Sequence, residues 1–170
     1  RMAGDLRGSK YSLYDGGTRV PTIAAWSKHI AAGQTSDVLL CQVDLLASLA
    51  ALAKVELPNN AAADSCDYHQ AWLGQSLDGR RELVFEGVTA TKVLRQDNWT
   101  MIPSHEGSFC DSDKNVELGR MPEPQLYDLE QDLGQICNQA NSEPQRLSAM
   151  QRRLQELVAA EGTRPGYSRP

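Results

Sequence analysis

The apolar positions of this chain follow no single rhythm. Over residues 1–17 neither a two-residue nor a 3.6-residue period holds, and Gly4, Gly8, Gly16 and Gly17 fall among polar residues, which predicts a loop. Thr18 to Trp26, TRVPTIAAW, is β-branched and apolar on both parities, the pattern of a buried strand with Pro21 near its start. Residues 27–36 read as a connection. VLLCQ then predicts a short extended piece, and VDLLASLAALA a helix over about 43–54. Leu and Ala fall on nearly every side of that helix, so it is expected to be sandwiched between other elements. Polar punctuation follows from Glu56 to Asp67, with Pro58, Asn59 and Asn60.

The second half changes rhythm. ELVFE at 82–86, ATKVLR at 90–95, NWTMI at 98–102 and QLYDL at 125–129 are short strand patterns separated by turn residues, which together predict a small four-stranded antiparallel sheet. Pro103 to Pro124 reads as a long loop. Beyond it, Ser142 and Gln145 have the spacing of a capping box, Pro144 suits a first turn, and Leu147, Met150, Leu154, Leu157 and Val158 recur at helical spacing. A helix from about 143 to 161, stopped by Gly162, is expected to lay that stripe over the sheet. The tail, 163–170, is expected to fray. No internal repeat is present.

Composition narrows the class. With 170 residues and 18.7 kDa the chain is one domain, or one and an appendage, and its 6% aromatic content makes for a core of Leu, Val and Ala. A formal charge of -5 and a pI near 5.2 provide no global positive field, which excludes nucleic acid as a main partner. Cys41, Cys66, Cys110 and Cys137 form no CxxC or mixed Cys/His cluster, so a structural zinc is excluded, while two disulfides and four separate thiols both remain open. No apolar run approaches the roughly 20 residues that span a bilayer, and the N-terminal segment lacks a signal-peptide pattern. The chain opens on Arg in what reads as mid-loop sequence, and is expected to be cut from something longer.

The sharper signal is Gly8 to Pro21, GSKYSLYDGGTRVP. It resembles the GGK(x)n[ED]GG-x-R-V-P segment of the type I sulfatases, arylsulfatase-like members of the alkaline phosphatase superfamily. QVDLLASLAALAKVELP at 42–58 is similar to that family's D-L-x-P-T-L-x-x-L-A-G-x-x-x-P stretch. LRQDNWTMI at 94–102 is similar to its R-x-G-x-W-K-L-I strand pair, and EPQLYDLEQDLGQICNQA at 123–140 to its L-Y-D-L-x-x-D-P-x-E-x-x-N-L-A. The landmarks share the family's order. The fold class implied is α+β: residues 1–80 as the end of a sulfatase α/β domain carrying the active-site lysine loop, a strand and a buried helix, then 81–162 as the small antiparallel sheet packed against the C-terminal helix, then the tail 163–170.

The resemblance puts Lys10 on the family's sulfate-contacting lysine, where an ammonium offsets charge on the sulfuryl and departing oxygens. Without the family context a lone Lys in a glycine-rich loop would read as solvated surface. Asp15, Gly16, Gly17 and Arg19 match the turn that follows, as support for the substrate loop, with Arg19 bracing it rather than touching substrate. The family's nucleophile, a Cys or Ser in C/S-x-P-S-R converted to formylglycine, matches none of the four cysteines, and its calcium ligands are expected before residue 1. Asp111, Asp113 and Asn115 mimic the opening of a calcium loop, but the glycine and glutamate that would complete it do not follow, so they read as a polar loop. No metal ligand is assigned, and calcium and formylglycine are implied for the complete enzyme only. Departures at Ser27 and Lys28, at Ala47 and Ser48, and at Leu133 replace turn-setting residues of the family pattern, through drift or decay alike.

His29, His69 and His105 are isolated and receive no role. Trp99 reads as core, Asn98-Trp99-Thr100 as a glycosylation sequon if the protein is secreted by a eukaryote, and Arg152 and Arg153 as a solvated helix face. The functional expectation is a C-terminal fragment of a sulfuric ester hydrolase. It would contribute Lys10 to sulfate-ester hydrolysis, be inactive alone, and depend on a missing N-terminal sulfatase domain. The alternative is a noncatalytic module that binds a sulfated ligand or a protein partner through a pocket around Arg7, Lys10 and Arg19. Uncovered apolar surface would bring self-association. A periplasmic, secreted or lysosomal location is implied by the resemblance alone.

Overall fold

The structure is a computed structural model that describes residues 4–88 and 90–169; residues 1–3 of the opening loop lie outside it. The strand patterns of the second half become four antiparallel strands: β1 Glu82–Glu86, β2 Lys92–Gln96, β3 Trp99–Ile102, and a last strand at Gln125–Asp128. Between β3 and that last strand, the expected long loop contains a small hairpin, β4 Cys110–Asp111 with β5 Val116–Glu117, so the last strand is β6 and the sheet order is β1-β2-β3-β6. The tight β2–β3 connection is Asp97 and Asn98, with Asp97 at φ 49°, the left-handed conformation that short-side-chain residues tolerate in two-residue hairpins.

Strand alternation decides what covers each face. Val84, Leu94, Met101 and Leu126 lie opposite one another in register, so they form one row on one face; Glu82 and Trp99 share that face by parity. Both of those side chains meet the C-terminal helix, α3, Pro144–Ala159: Arg153 of α3 donates to the Glu82 carboxylate at 2.5 and 2.9 Å, and the Arg146 guanidinium lies 4.4 Å from the Trp99 ring centroid. The helix therefore covers this face, burying Met150 and Leu154 from its apolar stripe. Arg153 is consequently a strap onto β1 as well as a surface residue. Ser142 donates its hydroxyl back to the Gln139 carbonyl and Leu147 N–H reaches Glu143 O, so Glu143 rather than Ser142 precedes the helix. The opposite face carries Phe85, Val93, Ile102 and Tyr127, and these pack with Leu13 and Tyr14 of the glycine-rich loop. Burial of each such large side chain contributes about 2 kcal/mol.

The chain divides into two compact units. One is residues 1–20 with 82–156, just described; the other is 21–81 with 157–170. Residues 1–20, grouped with 21–80 in the sequence reading, thus share a unit with the sheet. In the second unit α1 spans Leu45–Leu52 after a 3-10 turn at Gln42–Asp44, and α2 is the single turn His69–Trp72. Asp44 is fully buried: it takes two hydrogen bonds from Arg80, at 2.7 Å each, and one from the Cys66 N–H. Arg164 donates to the carbonyls of Pro58, Asn59 and Ala61, and the Thr163 hydroxyl to Asp64, so the described part of the tail is tied down rather than frayed.

Two expectations for this half fail. Residues 18–26 form no strand, and Ile23 is 94% exposed. A strand apolar on both parities needs a ladder partner and cover on both faces, and none of the described strands pairs with it. Helix α1 buries Ala47 and Ser48 while Leu46 and Leu49 are more than half exposed, so it is not sandwiched.

Candidate functional site: a braced lysine loop

The loop from Gly8 to Arg19 is held by polar groups drawn from much of its own unit. Gly8 sits at φ 78°, and a side chain there would run into Ser12. Gly16 donates its N–H to Arg7 O at 2.9 Å, and a Cβ at Gly16 or Gly17 would meet the carbonyls of Arg7, Gly8 or Ser12. Close backbone approach is thus what the Gly-Gly pair permits. Leu13 N–H reaches Leu118 O, and Ser12 N–H closes a turn onto Ser9 O.

Asp15 is the buried node. Its N–H donates to Gln135 Oε1 at 2.8 Å, and its Oδ2 accepts from Arg19 Nε at 2.7 Å and faces Arg95 at 3.6 Å. Burial lowers the pKa of Arg95, with Asp15 opposing that and the nearby Arg19 charge adding to it. Tyr14 donates to Gln125 Oε1 at 2.9 Å; Tyr127 donates to the same oxygen, and Gln125 Nε2 goes on to Gly119 O. Burial pushes the Tyr14 phenol well above its usual range and raises that of Tyr127, so both are neutral donors. Arg7 donates to Glu117 and to Gln135 O and stacks 4.2 Å from the Tyr14 ring.

Lys10 sits on this frame differently. It is exposed, it takes part in none of the ion pairs among the described residues, and its Nζ lies 5.2 Å from the Tyr11 ring centroid. Of the three cations considered for an anion pocket, Arg7 and Arg19 are paired with Glu117 and Asp15, and Lys10 is the one with no carboxylate partner among the described residues. A braced loop carrying an uncompensated ammonium can offset charge that develops on an anionic ligand.

Other candidates are placed plainly. All four cysteines are free; Cys110 and Cys137 are exposed, and burial pushes the Cys66 thiol up. His69 bonds to Asp67, and His29 stacks near Trp26. Asp111 accepts from the N–H groups of Asp113 and Lys114 and pairs with Lys114 Nζ, the pattern of a polar turn. Among the described residues no group of three or more His, Cys, Asp or Glu is arranged to hold a metal, and no helix is long and apolar enough to cross a membrane. The sequence reading missed Gln135, Gln125 and Arg95 as braces. Two of them had a signal: Arg95 stands on the Arg of the quoted R-x-G-x-W-K-L-I pattern, and Gln135 stands where the D-P-x-E-x-x-N pattern has Glu.

Comparison with known proteins completes the description. The chain is 34% identical to N-acetylgalactosamine-6-O-sulfatase of Bacteroides thetaiotaomicron over 95% of its own length and 30% of the relative's. It is 34% identical to arylsulfatase A of Homo sapiens over 92% of its length and 34% of that protein. A solved structure from Bacteroides thetaiotaomicron, described with the metabolism of multiple glycosaminoglycans, superposes with a TM-score of 0.89 at 32% identity, covering 92% of this chain and 32% of that one. The PsFucS1 sulfatase from Pseudoalteromonas sp. shares the fold, with a TM-score of 0.69 at 22% identity over 92% of this chain and 34% of its own. The chain thus spans about a third of the length of the relatives it matches. No protein-family model matches it.

Proposed function

Because this chain matches the C-terminal portion of the sulfatases, we propose that it forms one wall of a sulfate-ester hydrolase site, with Lys10 as the cation that contacts the sulfate group. The observation that carries this reading is the position of Lys10: the one open ammonium on a loop whose other charges are spent on holding its shape. Cleavage of a sulfate ester leaves negative charge on the sulfuryl oxygens and on the departing oxygen. An ammonium fixed before the reaction begins stabilises that charge without reorganising. Asp15, Gly16, Gly17 and Arg19 act on it through the backbone, as positioning residues.

The family's calcium does not fit the groups present. Three of the ordered carboxylates are already neutralised by cations, Asp15 by Arg19 and Arg95, Asp44 by Arg80, and Asp111 by Lys114, and among the described residues no three His, Cys, Asp or Glu side chains are grouped to hold an ion. Nor does any cysteine stand in a C/S-x-P-S-R setting that would provide formylglycine. In this reading the attacking group and the metal come from residues outside this chain, in a preceding sulfatase domain. The exposed Ile23, Leu46, Leu49 and Val55 support such a partner as their cover. The name of the Bacteroides thetaiotaomicron relative supports a sulfated amino sugar as the substrate class.

Two measurements test this. Amide NMR of the chain with inorganic sulfate should shift residues 8–19, and Lys10→Ala should abolish the shifts; unchanged spectra in the wild type would remove Lys10 from the site. Incubation with calcium and a chromogenic aryl sulfate should give only background release, whereas turnover that disappears in Lys10→Ala would show that the chain carries its own nucleophile.

A further inference from the structure

Two cations, not one, converge on Tyr11. Lys114 lies in the connection between β4 and β5, far along the chain from the glycine-rich loop, yet its Nζ is 5.1 Å from the centroid of the same ring that Lys10 approaches at 5.2 Å. Both distances fall within the range of an attractive cation–π contact, and they limit the separation of the two ammoniums to about 10 Å. Tyr11 itself is at φ 86°, a conformation that is strained for a bulky L-residue and that persists where the surroundings over-determine it. The β4–β5 connection is equally set: Asp111 receives two backbone N–H groups and the Lys114 ammonium, and Asn115 turns the chain at φ 51°. Lys114 has three donors and gives one to Asp111, which leaves donors facing solvent beside the ring.

We propose that Lys10, Tyr11 and Lys114 form a two-anion clamp: Lys10 for the sulfate ester, and Lys114 for a second anionic group on the neighbouring part of the substrate, with the Tyr11 ring as the apolar surface between them. The ligand class that fits is an acidic sulfated carbohydrate, a sugar sulfate linked to a residue carrying a carboxylate or another sulfate, rather than an aryl sulfate with no second anion. The two ammoniums, each held over the Tyr11 ring, set the spacing of the anions. This rests on the reading of Lys10 as the sulfate contact.

Calorimetric titration of the chain with two probes tests it. N-acetylgalactosamine 6-sulfate carries one anion; the disaccharide of that sugar with a hexuronic acid carries two. Lys114→Gln should leave the monosaccharide affinity unchanged and weaken the disaccharide by about five-fold, the loss of one solvent-facing charge contact. Lys114→Arg should restore it. Lys10→Ala should weaken both. Equal effects of Lys114→Gln on the two probes would overturn the clamp and leave the Lys10 reading standing. Unchanged binding of both probes in Lys10→Ala, or no binding by the wild type, would remove the Lys10 reading and the clamp with it. Lys114→Gln also removes the Asp111 ion pair, so the unchanged monosaccharide affinity is the control that separates a lost contact from a loosened turn.

Discussion

The two units of this chain satisfy their apolar residues by opposite means. Around the sheet, the chain supplies its own cover: α3 on the Leu94–Met101–Leu126 row, and the Lys10 loop on the face of Val93, Ile102 and Tyr127. In the unit of α1 and α2, Ile23, Leu46, Leu49 and Val55 lie open to water, and the ordering comes from buried polar nodes at Asp44 and Arg164. The difference teaches where stability resides: hydrophobic burial holds the first unit, while the second depends on a few charged hydrogen bonds that leave large orphaned groups when broken.

The hardest blow to that contrast is Asp44→Ala. It strands the Arg80 guanidinium, whose side chain is only 10% exposed, and orphans the Cys66 N–H. Breaking one side of such a buried pair costs about 3–5 kcal/mol. Hydrogen exchange should show residues 45–52 and 65–73 losing protection while β2, β3 and β6 keep theirs. Equal loss in the sheet would mean that the two units unfold as one.

Met101→Ala is the converse. Met101 is fully buried between Leu94 and Leu126, and truncation should cost about 3 kcal/mol through lost contacts and a cavity. Here the sheet amides should lose protection and α1 should not. A cost below about 1 kcal/mol would show that this face is not the close-packed core described.

How far each unit was legible follows the same division. Helix α3 was readable because its burial is periodic, and β1 to β3 and β6 because short β-branched and aromatic runs stand between turn residues, a pattern that a sequence displays even where both faces are covered. TRVPTIAAW and α1 were misjudged because apolar composition states a need for cover and not whether the chain provides it; Ile23 shows the need unmet. The node residues were silent for another reason. Asp44 and Arg80 are 36 apart, Asp15 and Gln135 are 120 apart, and Arg153 and Glu82 are 71 apart, so no local pattern announces them. Lys10, Asp15, the two glycines and Arg19 were found as one motif, and the same holds for the loop they build. Lys114 beside Tyr11 belongs to the silent class.

Leu49→Ser sharpens the contrast from the exposed side. Leu49 is 58% exposed, so the change should move stability by less than about 0.5 kcal/mol. Sedimentation should nonetheless show less self-association at high concentration, because an uncovered apolar side chain is removed. A substantial fall in melting temperature would indicate that Leu49 is part of a core after all.

The smallest effect concerns the rim of the first unit, where cohesion is electrostatic as in the second. The hydrogen bond from the Lys114 ammonium, aided by the Lys114 and Asp113 N–H groups, holds the Asp111 carboxyl below its usual range, and the same pair holds Lys114 above its own. A lowered carboxyl pKa gives stability that is present above the unfolded value of about 3.9 and lost as pH falls through the folded value. The raised ammonium gives stability that is present below about 10.4 and lost as pH rises through its folded value. The β4–β5 turn should therefore be tightest between those limits. The Asp113 and Lys114 amides should move toward random-coil shifts at the acid end, while the sheet amides stay put. Asp111→Asn should abolish that acid limb, since an amide does not titrate. If the limb persists in Asp111→Asn, another carboxylate governs it, and the Asp111–Lys114 pair is not what holds the turn.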